Sequence, residues 1–389
     1  MNLKSDLTLS GLTLLPGGEF AETTLQVADG KIVDLAPGLD AHADFFAEGY
    51  LIPGFIDLQI NGAFGYDFTT DGGGVIAISE SLPQFGVTAF LPTIITSPFE
   101  NYPIRLREIG TASREAGGAR PLGVHLEGPY LNPARVGAHS PEWLRPINLP
   151  EIRGWAFPSI VRLVTLAHEL PGALEAIHYL QQRGIVVSAG HSEATFAEAM
   201  AAFEAGVGWG THLFNAMSSL HHRAPGLAGA LLTSPIPCGL IADGIHVHPT
   251  MVKLAYQVKG AQGITLVTDA MAALGMSPGA YRLAGHEVEV SASRTQLADG
   301  TLAGSLLSMD AAVRNMLAFS GCTLAEAVNM ASHLPASLLG LNHKGLIAAG
   351  CDADLVILDN TLHVTRTFVA GRCVFETSPL SAQRREGQR

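Results

Sequence analysis

Two histidines, His191 and His212, close successive apolar runs, GIVVSAGH and GVGWGTH, each with glycine close before the histidine. Between them Phe196, Met200 and Phe203 recur at helical spacing, so residues 184–217 read as strand, helix, strand. Parallel strands joined by a crossover helix point the same way, which puts both imidazoles on one rim of a sheet. Neighbouring strands lie about 4.8 Å apart, close enough for two such rings to converge on one ion. A single histidine at a strand end is more often structural. A pair at the ends of two successive strands reads as a metal site. Glu127 closes another apolar run, LGVHLE; alone it would read as a rim salt bridge. Together Glu127, His191 and His212 make a His2Glu set of the kind that holds catalytic zinc, and the same N and O donors accept Fe(II), Mn(II) or Co(II). Such an ion lowers the pKa of bound water to roughly 7 and polarises a carbonyl. Asp269, in VTDAM, follows four residues without charge. It is placed to take a proton from that water and return it to a leaving amine, although an aspartate there could also cap a helix.

The elements that must position these groups follow from the patterning. Eight short apolar runs, Leu51–Leu58, Val87–Pro92, Leu122–Leu126, Val161–Leu166, Gly184–Gly190, Val207–His212, Cys238–Ala242 and Ile264–Thr268, are mostly followed by helix-period segments. The clearest of those are Gly172–Arg183, Pro249–Val258 and Met309–Phe319. This pattern, with polar residues at the strand C-terminal ends, predicts an α/β TIM (β/α)8 barrel over 51–345. A doubly wound open sheet is the alternative, but its G-x-G-x-x-G turn and the P-loop are both missing. Residues 1–50 and 346–380 have the short alternating runs and Gly-Gly or Asp-Gly turns of β-hairpins. They predict a small β-sandwich domain built from both chain termini. The last stretch, TSPLSAQRREGQR, is polar and reads as frayed.

Composition narrows the partners. The 389 residues carry 23 Lys and Arg against 35 Asp and Glu, a net charge of −12. No basic footprint exists for nucleic acid or an anionic membrane surface, and an anionic substrate would need a local group of cations. The four cysteines are far apart and form no C-x-x-C pair, which fits a reducing compartment. With no signal-peptide core and no apolar stretch long enough to span a bilayer, the expectation is a cytoplasmic protein.

The motifs PGFIDLQINGAFGYDF, GVHLEGPYLNPARVGAHS, SAGHS, GTHLFNAM, APGLAGA, IADGIHVHP, LVTDAM and LAGS resemble those of the N-acetylglucosamine-6-phosphate deacetylase family of the amidohydrolase superfamily. They run in family order from about residue 50 to 310, and GLIAAGCDADLVILD near the C-terminus also fits. The resemblance implies one divalent metal ion, zinc first, and hydrolysis of N-acetyl-D-glucosamine 6-phosphate to D-glucosamine 6-phosphate and acetate. It places Glu127, His191 and His212 as ligands and Asp269 as general base, then general acid. His139 matches a histidine near the reacting amide, with Ala138 beside it in GAHS. Asn215, Ala216 and Arg223 match phosphate-side contacts, the arginine coming from the neighbouring subunit of a homodimer. His246, Leu302, Ala303 and Gly304 match further sugar or phosphate contacts. One departure concerns the end of the first strand, where many amidohydrolases carry His-x-His and help hold a second ion. Gln59-Ile60-Asn61 stands there instead, so a single tightly bound metal is expected. Other amidohydrolase chemistry, such as cyclic amide opening, would need neither the His221-His222-Arg223 group nor FNAM. A non-catalytic sugar-phosphate sensor would have no use for Asp269 beside a complete ligand set.

Overall fold

A computed structural model describes residues 7–157 and 159–377; most of the polar C-terminal stretch read above as frayed lies outside them. Eight parallel strands form the central sheet in the order Phe55–Ile60, Val87–Ile95, Val124–Glu127, Val161–Leu166, Val186–Ala189, Val207–Gly210, Cys238–Leu240 and Ile264–Leu266. Each pairs with its sequence neighbour. The ring closes through the chain that follows the last strand. There the Asp269 N–H donates to the Gln59 carbonyl at 2.8 Å, and the Asn61 N–H donates to the Ala270 carbonyl at 2.8 Å. Strands buried on both faces read as continuous apolar runs, and every residue of Phe55–Ile60 and of Val87–Ile95 is buried. The expected barrel is therefore present.

The connecting helices carry local signals that agree with it. Phe196–Ala205 begins at a capping box in which Thr195 and Glu198 satisfy each other's backbone N–H groups. It ends at Gly206, whose φ of 119° suits only glycine. Among the described residues no helix is long and apolar enough to cross a membrane.

Both chain ends build the small lobe. Its seven strands run in the order Arg372–Glu376, Val364–Val369, Leu355–Leu358, Phe45–Pro53, Leu7–Leu14, Phe20–Ala28 and Lys31–Pro37. Leu9, Leu25, Ile32, Leu51, Leu355 and Phe368 share one apolar core there. One sequence expectation needs correction. Leu51–Leu58 is not a single strand: Phe45–Pro53 belongs to the lobe and Phe55–Ile60 to the barrel. The break falls at Gly54, where a Cβ would sit 2.2 Å from the Thr88 side chain, so only glycine lets the chain pass. A second feature, not foreseen, is a three-stranded antiparallel insert, Gly279–Leu283, His286–Val290 and Thr295–Gln296, after the eighth barrel strand.

Closure of the ring also buries a carboxyl group. Asp57, fully inside the first strand, accepts from the Gln59 N–H (3.2 Å), the Thr268 N–H (3.3 Å) and the Thr268 hydroxyl (2.5 Å). Burial pushes its pKa up to about 7 against these bonds. Its folded pKa thus lies above the unfolded value of 3.8. The contribution to stability is complete below the unfolded value and is lost as pH rises through the folded one, a change of about 4 kcal/mol. Asp57→Asn keeps the acceptor for both backbone N–H groups and removes the charge. Its melting temperature should match wild type near pH 4 and exceed it by several degrees at pH 8. Parallel Tm–pH curves for the two proteins would contradict this.

Candidate active site

Three of the five residues expected to hold the metal or act in catalysis sit just past strand ends in left-handed backbone. His191 has φ 49°, His212 φ 29° and Asp269 φ 50°. Side-chain-bearing residues adopt this region rarely and at some cost, and its use marks places where surrounding structure fixes the chain for function. Here it turns each side chain over the barrel mouth. Gly190 permits the first turn, since a Cβ there would lie 2.8 Å from Thr211 and 2.9 Å from Thr165. Beneath the mouth lies a buried layer of polar groups: His125 Nε2 to Thr165 Oγ1 at 2.7 Å, then Thr165 to Thr211 at 2.7 Å, then Thr211 to Ser188 at 2.5 Å. Burial holds the His125 imidazole down at about 4, so this floor carries no charge.

On that floor the three expected ligands meet. His191 Nε2 and His212 Nε2 are 3.1 Å apart, and they lie 3.2 and 3.1 Å from Glu127 Oε1. All three residues are at most 4% exposed. Ligands about 2.0–2.2 Å from a tetrahedral ion are themselves about 3.3–3.6 Å apart, so this triangle fits a divalent cation after a small outward movement. The His191 Nδ1–H donates to the Arg135 carbonyl at 2.9 Å, which leaves the Nε2 lone pair for an ion. Burial alone would raise Glu127, but the His191 and His212 imidazoles against it hold the carboxyl well below the usual range.

His139 competes for a ligand place on distance alone, because its ring, Glu127 and His191 present ligand atoms within 4.8 Å of one another. Its hydrogen bonds argue otherwise. His139 Nδ1 accepts from the Thr96 N–H at 3.2 Å and lies 2.8 Å from the Thr96 hydroxyl. The ring proton therefore sits on Nε2, 3.8 Å from Glu127 Oε2. This nitrogen donates rather than ligates. Burial pushes the imidazole down to about 3, so it donates as a neutral group.

Asp269 stands beside the triangle. Its Oδ1 accepts from Asn61 Nδ2 at 2.7 Å and from Gln59 Nε2 at 3.3 Å, and Gln59 Nε2 also reaches Glu127 Oε1 at 3.0 Å. Burial, with Glu127 nearby, pushes the Asp269 carboxyl up to about 6. The two amides that take the place of a His-x-His pair thus turn their N–H groups toward both carboxylates. Sequence reasoning saw them only as poor ligands and missed them as donors.

A cavity of about 350 Å³ opens over these groups. Its lining includes Asn61, Glu127, Ala138, His139, His191, His212, Asn215, Ala216, His246, Asp269, Leu302 and Gly304. Ala303, between the lining residues Leu302 and Gly304 in sequence, is fully buried. Arg223 is not brought in: it stands on an exposed loop with His221 and His222. The unforeseen insert contributes Leu283 to the cavity. It is tied down where the Ala284 N–H donates to Asp67 Oδ2 at 2.6 Å and where His286 meets the Ser140 hydroxyl.

Comparison with known proteins agrees with this geometry. Residues 50–374 match the amidohydrolase family. An N-acetylglucosamine-6-phosphate deacetylase of Danio rerio is 41% identical over 84% of this chain and 84% of that protein. The crystal structure of the Thermotoga maritima enzyme of the same name superposes with a TM-score of 0.88 at 37% identity, covering 94% of this chain and 98% of the other. The chain is an amidohydrolase of the N-acetylglucosamine-6-phosphate deacetylase family. It is a hydrolase with a His/Glu site for a divalent metal. A relative from Escherichia coli O157:H7, 40% identical over 90% of this chain and 93% of its own length, is an N-acetylgalactosamine-6-phosphate deacetylase.

Proposed function

We propose that this enzyme hydrolyses the acetamide of N-acetyl-D-glucosamine 6-phosphate, releasing acetate and D-glucosamine 6-phosphate. The observation that carries the reading is the Glu127–His191–His212 triangle sharing one cavity with the buried carboxylate of Asp269. Glu127, His191 and His212 hold the ion, zinc first and Fe2+, Mn2+ or Co2+ by the same donor chemistry. Bound there, a divalent cation supplies a lowered water pKa and polarises the amide carbonyl. Asp269 takes the proton of the attacking water as the O–C bond forms, then gives it to the amine nitrogen as the C–N bond breaks. His139 Nε2–H donates to the carbonyl oxygen as negative charge gathers on it. Ala138, Asn215, Ala216, His246, Leu302, Ala303 and Gly304 bound the sugar-phosphate end.

Arg223 completes that end from a second copy of the chain in a homodimer, which accounts for its place outside the cavity of its own subunit. Its planar fork can hold two phosphate oxygens. The four cysteines are all free thiols, and we place the protein in the cytoplasm. The test is acetate release measured on N-acetylglucosamine 6-phosphate, its galactosamine epimer and unphosphorylated N-acetylglucosamine. The first should be the best substrate by kcat/KM. Arg223→Ala should raise KM for it about tenfold to a hundredfold, the worth of one charge-assisted contact, and leave kcat/KM on the unphosphorylated sugar unchanged. Equal losses on both sugars would remove the phosphate role.

A further inference from the structure

His246 lines the cavity, and its ring is paired with Asp243. Asp243 follows the seventh barrel strand in the turn Ala242-Asp243-Gly244-Ile245-His246, with Gly244 at φ 76°. Asp243 Oδ1 accepts from the N–H groups of Ile245 and His246, both at 2.8 Å, which wraps the turn around the carboxylate. Oδ2 accepts the His246 Nδ1–H at 2.7 Å. The two side chains are 10% and 8% exposed. Burial works to raise Asp243, but the bonds from His246 and the turn hold it below its ordinary value, so it is a carboxylate that can only accept. One side chain thus fixes the backbone, the ring orientation and the position of the ring proton. Nδ1 carries the hydrogen on this bond, so Nε2 is the nitrogen that remains for a ligand in the cavity His246 lines.

We infer that Asp243 is a positioning residue that makes His246 Nε2 a hydrogen-bond acceptor for a ring hydroxyl of the sugar. This rests on the reading of the substrate as a sugar phosphate. It also narrows the role of His246. In that tautomer Nε2 attracts an O–H and repels a phosphate oxygen, so His246 reads a hydroxyl, not the phosphate.

Asp243→Asn separates this role from a merely structural one. The asparagine Oδ1 keeps both bonds to the turn, because turning the amide over would set its NH2 against two backbone donors. Nδ2 then donates to His246 Nδ1 and moves the ring proton to Nε2. The fold survives and the acceptor becomes a donor. On N-acetylglucosamine 6-phosphate at pH 8, Asp243→Asn and His246→Ala should each raise KM about tenfold, the worth of one hydrogen bond, with kcat within about threefold. The double variant should be no worse than His246→Ala, since both changes remove the same contact. Nitrogen-15 NMR of the zinc-loaded protein without substrate should find the lone pair on Nε2 in wild type and on Nδ1 in Asp243→Asn. A wild-type KM in Asp243→Asn, as expected if the carboxylate only caps the turn, overturns the inference; so does a wild-type ring protonated on both nitrogens. Failure of the substrate reading would appear separately, as no turnover by wild type while the NMR signature stands.

Discussion

Asp269→Asn should bind its metal and its substrate as wild type does and release acetate at least a thousandfold more slowly, near the upper range for losing a general base. The substitution is close to isosteric, and the site explains why little else should change. Asn61 Nδ2 can go on donating to the Oδ1 of an asparagine at 269, as it now does to the aspartate at 2.7 Å. The backbone there has φ 50°, a region that asparagine enters more readily than most side chains. What the amide cannot do is accept a proton. The aspartate is suited to that work, since burial and the neighbouring Glu127 raise its proton affinity above that of an exposed carboxyl. Metal content by elemental analysis, KM, and kcat from acetate release check the three parts of the expectation. A kcat within tenfold of wild type would take the acid–base role away from Asp269 and leave the ligand triangle as it is.

The barrel was legible because its signals are local and repeated. Most strands are apolar runs closed by a polar residue, and several helices carry their own period and side-chain caps. Glu127, His191, His212 and Asp269 could be read as a group because topology alone sends successive parallel strand ends to one rim. Parts that depend on contacts between distant segments were not legible. The break at Gly54 comes from the Thr88 side chain, more than thirty residues on. The 279–296 insert has no barrel period to announce it, and only its packing brings Leu283 to the cavity. The direction of an amide is invisible in a sequence: Gln59 and Asn61 are named by type, but their N–H groups are assigned only by the carboxylates they face. Asp243 was written in the chain as an Asp-Gly turn. Its second oxygen on His246 depends on the way that turn folds back.

Removing the cation should abolish acetate release, and the site should take back a single equivalent. Three donor atoms within 3.2 Å of one another leave room for one ion between them. The nearest place for a second is the end of the first strand, where Gln59 and Asn61 commit their N–H groups to Glu127 and Asp269. Their remaining oxygens, Gln59 Oε1 and Asn61 Oδ1, are buried without a protein partner. A neutral amide oxygen is a poor donor for zinc or iron beside imidazole. After exhaustive chelation, activity should fall below about one part in a thousand, since the lowered water pKa and the polarised carbonyl go together. Titration with zinc should restore it in proportion up to one ion per chain, and manganese, cobalt or iron(II) should restore it to different extents. The melting temperature should rise with loading, because an ion bound a thousandfold above its Kd adds about 4 kcal/mol to stability. Glu127→Gln should lose both effects: the amide keeps the shape but gives up the anionic oxygen at one corner of the triangle. Full activity in the chelated enzyme would end the metal assignment. Two tightly held equivalents would show instead that the amide oxygens ligate, and that the first strand contributes to the centre after all.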